Sequence, residues 1–148
     1  MNQKIFSDKV FQFLTEEFPE FTHLVTYQND DSFDCELISQ SGQFSMWIAT
    51  YNSEITFGLK SPTGETDIHT HVSCYEEEDV EDCLSTLTKL IDEIKTNKVI
   101  LYKNESNTFD WIDINRLTEK EIKKQVTFEK ILWDDQERRN SNGTQQNL

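Results

Sequence analysis

A chain of 148 residues, 35% hydrophobic and 11% aromatic, is long enough for one domain with its own core, and four Gly and two Pro are too few for a disordered or repetitive polymer. Its 28 acidic and 14 basic residues give a formal net charge of −14, the wrong sign for gripping nucleic-acid phosphates or an anionic membrane surface. Three irregularly spaced cysteines (Cys35, Cys74, Cys83), no signal-peptide pattern and no apolar run near the ~20 residues of a membrane span point to a reduced, cytoplasmic protein.

In chain order, Val10, Phe11, Leu14 and Phe18 recur at helical spacing, predicting a first helix over Asp8 to Phe18 with Ser7 as N-cap and Phe6 stapled onto Phe11. Pro19 ends it. Five short strands are then expected: Thr22–Tyr27, Phe33–Ser39, Gln43–Tyr51, Glu54–Lys60 and Thr66–Ser73. The breaks between them carry turn residues, such as Gln40-Ser41-Gly42 and Ser61-Pro62-Thr63-Gly64, and links this short imply an antiparallel meander. Alternation assigns Phe33, Cys35, Leu37, Phe44, Met46, Ile48, Ile55, Phe57, Leu59, Ile68 and Val72 to a core face. Asp34, Glu36, Trp47, Tyr51, Thr56, Lys60, His69 and His71 fall on the other.

Val80, Leu84, Leu87, Ile91 and Ile94 mark a long helix from about Glu76 to Asn97, expected to pack on the core face. Val99–Tyr102 and Phe109–Ile114 read as two further strands. Thr118 and Glu121 form a capping box for a short helix, and Val126–Trp133 reads as a final strand. The fold class is therefore α+β: an antiparallel meander with an N-terminal helix and one long helix, in a single domain over 1–137, followed by a polar, disordered tail over 138–148.

The charge is lopsided. Residues 1–97 hold 19 acids and five bases, whereas residues 98–148 hold nine of each. Glu76, Glu77, Glu78, Asp79, Glu81 and Asp82 place six carboxylates in seven positions at a helix start, more than a helix dipole calls for. Such an array suits a basic cleft on a protein partner. Trp47, Tyr51, His69 and His71 form a second candidate contact patch.

His69-x-His71 on a strand points two imidazoles the same way. The stretch from Gly64 through His69, His71 and Glu76 is similar to the first metal motif of cupins, which implies a metal or ligand site on those three residues as the alternative reading. The Gly-to-His spacing is one residue short, His23 is the only other histidine, and a long helix follows where a cupin places a strand. No Gly-rich phosphate loop, G-x-S-x-G, H-E-x-x-H or C-x-x-C is present, so no catalytic residue and no cofactor are expected.

Size, acidity, the meander, and the stretch Trp47-Ile48-Ala49-Thr50-Tyr51-Asn52-Ser53-Glu54-Ile55-Thr56 followed by His69-Thr70-His71 resemble the small acidic immunity proteins that bacteria encode beside contact-dependent and other polymorphic toxins. The resemblance implies a non-enzymatic inhibitor that covers the active site or substrate groove of a cognate basic toxin, a nuclease in the simplest case.

Overall fold

The computed structural model describes residues 1–104, 106–116 and 130–134. The first helix, α1 (Gln3–Glu17), starts a turn earlier than its expected position. Asn2 is the N-cap, its side chain accepting from the Ile5 N–H at 3.1 Å. The stripe extends upstream through Phe6, so Phe6, Val10 and Leu14 all enter the core and Phe6 forms no surface staple. Ser7 is no cap but a buried helical residue, its hydroxyl 3.1 Å from that of Thr50.

Pro19 ends α1 and opens a 3-10 turn, Pro19–His23, which buries Phe21 completely. That turn takes up the beginning of the expected first strand, leaving β1 (Val25–Tyr27) only three residues long. The next strands are β2 (Phe33–Ile38), β3 (Ser45–Ala49), β4 (Ile55–Lys60) and β5 (Ile68–Val72). They pair antiparallel in the order β1-β2-β3-β4-β5, the expected meander. Register follows alternation: Leu37, Met46, Leu59 and Ile68 line up across four strands on the inner face.

A 3-10 turn, Glu77–Asp79, precedes α2 (Val80–Lys95), the long helix. Val80, Cys83, Leu87, Ile91 and Ile94 are its buried stripe. A three-stranded sheet follows, ordered β7-β6-β8 with β6 (Val99–Lys103), β7 (Phe109–Asp113) and β8 (Lys130–Ile131). Both Trp111 and Trp133 face the main core. Trp111 stacks on Phe57 with ring centroids 6.3 Å apart, and Trp133 meets Phe44 edge-on at 5.6 Å. One continuous cluster thus joins both helices and both sheets on the inner face of the meander. The expected helix at Thr118, the first part of the expected last strand and the tail over 138–148 lie outside the described residues.

Thr50 ties α1 to the meander. Fully buried, its hydroxyl accepts the Phe33 N–H at 3.0 Å and meets Ser7 at 3.1 Å, while Gln3 Nε2 donates to its carbonyl at 2.7 Å. Replacing the hydroxyl with a methyl group strands the Phe33 N–H in a dry site. Thr50→Val should therefore lose about 1–3 kcal/mol in denaturant unfolding, and Thr50→Ser much less.

Candidate functional site: an acidic groove between the helices

The acid run divides by task. Glu76 and Asp79 form a reciprocal capping box, with Asp79 Oδ2 accepting the Glu76 N–H at 2.9 Å. Their carboxylates are committed to starting the helix. Glu77 pairs with Lys9 of α1 at 2.7 Å, and the hydrogen bond to that ammonium holds the Glu77 carboxyl below its ordinary range. Glu78, Glu81 and Asp82 are exposed and have no ion-pair partner among the described residues.

The Lys9–Glu77 pair bridges α1 to the start of α2, and the two walls enclose an open groove of about 470 Å³. Glu77, Glu78 and Glu81 line one wall; Gln12 and Glu16 of α1 line the other, with Phe13, Val80 and Leu84 between them. The groove therefore combines an apolar floor with a rim of four glutamates against one lysine, and that lysine is already paired. Asp82 does not line it. Glu16 does, and the run in α2 gave no hint of it. Its signal lay in α1, where Lys9, Gln12, Phe13 and Glu16 follow helical spacing beside the core stripe.

The same imbalance holds over the wider surface. Lys4, Lys9, Lys60, Lys89 and Lys95, the five bases of residues 1–97, all lie within ion-pair distance of a carboxylate. Near Lys95, burial pushes the Glu20 carboxyl up, but the hydrogen bond and charge of that ammonium leave it below its ordinary value. Residues 1–97 thus hold no unpaired lysine of their own to offset their acidic excess.

The second candidate patch is only partly assembled. Trp47, Gly58 and His69 are cross-strand neighbours on the outer face of the meander. The Trp47 ring centroid is 5.9 Å from that of His69, and the His69 and His71 rings are 5.1 Å apart. Tyr51 does not join them. The strand ends at Ala49, and Tyr51 sits exposed on a 3-10 turn, Tyr51–Ser53, held to the beginning of α1 by the Ser53 N–H donating to Gln3. A shallow groove of about 500 Å³ beside Trp47 is lined by Asp34, Glu36, His23 and Lys60, so carboxylates and an ammonium share it.

Glu76 is likewise separated from the histidines as a ligand, because its side chain caps the helix start. His71 Nδ1 instead meets Glu54 at 2.8 Å and Thr56 at 3.1 Å, and His69 Nδ1–H donates to the Thr66 carbonyl at 3.2 Å. No group of three His, Cys, Asp or Glu side chains among the described residues is placed to hold a metal ion. No described helix is long and apolar enough to cross a membrane.

No protein-family model, no curated protein and no solved structure matches the chain.

Proposed function

We propose that this protein is an acidic inhibitor that docks a cationic protein, acting as an immunity protein acts on a basic toxin. The observation that carries the reading is the groove between α1 and α2, where Glu16, Glu77, Glu78 and Glu81 rim the apolar floor of Phe13, Val80 and Leu84. Lysine and arginine side chains fit such a surface twice over. Their aliphatic stems cover apolar residues, and their charged heads meet the carboxylates.

The long-range field adds to the contact. A net charge of −14 speeds encounter with a basic partner, and the contacts at the groove then set how long the complex lasts. A nuclease carries positive charge where it binds phosphates, so carboxylates presented on a helix start compete for the same cationic groups. Inhibition by this route needs no chemistry from the inhibitor and no cofactor.

The test is co-purification with the protein encoded immediately upstream, at low and at high salt. A stable complex that loosens as salt rises is the expected result. Absence of any complex at low salt overturns the proposal.

A further inference from the structure

Two cysteines bracket the acid run: Cys74 lies just before it, two residues past the end of β5, and Cys83 lies in the first turn of α2. Folding brings the two ends together. Cys83 Sγ donates to the Ser73 carbonyl oxygen at 3.2 Å, and that carbonyl belongs to the peptide leading into Cys74. Cys74 Sγ turns inward toward the Glu76 carbonyl at 3.6 Å. Both residues are buried, at 8% and 4% exposed. Burial first, and the proximity of the Cys74 thiol second, push the Cys83 thiol up to about 12. Cys83 Sγ therefore lies beside the backbone of Cys74 in a closed environment, although eight residues of chain separate the two cysteines.

We propose that Cys74 and Cys83 are a reversible dithiol–disulfide pair whose oxidation closes a covalent ring around Glu76, Glu77, Glu78, Asp79, Glu81 and Asp82. The oxidant is a small disulfide such as glutathione disulfide. Cys74, the more exposed of the two, loses its proton and its sulfur attacks the oxidant, releasing one glutathione thiol. Cys83 then loses its proton and attacks the Cys74 sulfur of the mixed disulfide, expelling the second. Two S–H bonds and one S–S bond break, and one S–S bond and two glutathione S–H bonds form. The protein gives up two electrons and two protons, and glutathione disulfide takes them. Cys35 serves as an internal reference. It lies on β2, 3% exposed, with its thiol pushed up to about 12 by burial and by the charge of Asp34.

Closing the ring restrains the segment that supplies one wall of the groove. What the restraint is for rests on the docking reading above; the bond itself does not.

The full chain is equilibrated in glutathione buffers of rising disulfide content, alkylated and examined by peptide mass spectrometry. Expected is a Cys74–Cys83 crosslink lighter by two hydrogens, reversed by dithiothreitol, with Cys35 still alkylated. Cleavage within the acid run by a glutamate-specific protease should slow about fivefold on oxidation, because cutting requires local opening. Cys83→Ser should instead accumulate a glutathione adduct at Cys74. A lasting adduct in the parent protein, a bond to Cys35, no adduct in Cys83→Ser, or equal cleavage rates in the two states would each overturn the proposal. Poly-lysine binding, measured in both redox states, separates the two ideas. Its absence in both, with the crosslink formed, counts against docking and leaves the disulfide standing.

Discussion

Neutralising Glu16, Glu78 and Glu81 together, each to Gln, should weaken binding of a cationic partner by about 100-fold at low salt. Exposed ion pairs contribute up to about 1 kcal/mol each, and three such losses over an apolar floor reach that size. Glu77 is left in place because its pair with Lys9 links the two helices. The substitution preserves side-chain volume and relieves repulsion among the carboxylates around the groove, so unfolding by denaturant should be unchanged or slightly harder. A control with Asp30, Asp67 and Asp92 changed to Asn removes the same net charge elsewhere. It should slow association modestly and leave dissociation as it was, because distant charges steer and contacting charges hold. Equal losses from the two triple variants would mean that total charge alone matters and that the groove is not the contact surface. Titration of the purified proteins with poly-lysine, or with the co-purified partner, reads both.

Gly58→Ala should destabilise the fold by about 1–3 kcal/mol, an unusually large effect for adding one methyl group. A Cβ at Gly58 would lie 2.7 Å from the Ile68 carbonyl oxygen and 2.7 Å from both Cε2 and Nε1 of Trp47. The carbonyl belongs to the next strand and cannot swing away without breaking the ladder, so the strand and the indole must both shift. Glycine is needed here for the close approach of an aromatic ring, not for an unusual backbone angle. The indole Nε1 is buried without a hydrogen-bond partner among the described residues, so shifting it also changes what surrounds it. Denaturant unfolding followed by tryptophan fluorescence measures the loss. Adding Trp47→Ala should recover part of it, since the two sites share one contact. Binding to a cationic partner should stay within about twofold of the parent, because Gly58 and Trp47 lie on the outer face of the meander and the groove lies among the helices on the inner one. A large loss of binding at normal stability would move the contact surface to the sheet.

The meander was legible in the sequence because each strand carries a period-two pattern and each link is short. Neighbours in sequence became neighbours in space, and Phe33, Met46, Phe57 and Ile68 went inward as alternation required. The start of α1 was less legible. Ser7 and Asn2 are both good caps locally, and only the contact with Thr50, 43 residues away, shows that Ser7 is buried inside the helix. Grouping β6, β7 and β8 into a second sheet likewise depends on pairs that no local pattern encodes.

The site was half legible for the same reason. The acid run is visible as composition, but what each carboxylate does is not. Glu76 and Asp79 cap the helix, Glu77 holds Lys9, and Glu78 and Glu81 join Glu16 of another helix in the groove. The hydrogen bond from Cys83 to the Ser73 carbonyl is likewise invisible in local patterns, set by how the chain after β5 meets α2. Tyr51 misled because alternation assumes that a strand continues, and β3 ends two residues before it.

The most direct measurement is the affinity of the partner complex at a series of salt concentrations, for the parent protein and for the Glu16, Glu78 and Glu81 triple variant side by side. Docking of cationic side chains into the groove predicts affinity that falls steeply with salt in the parent and less steeply in the variant, the two converging at high salt. Affinity independent of salt, or equal slopes for both proteins, would contradict it.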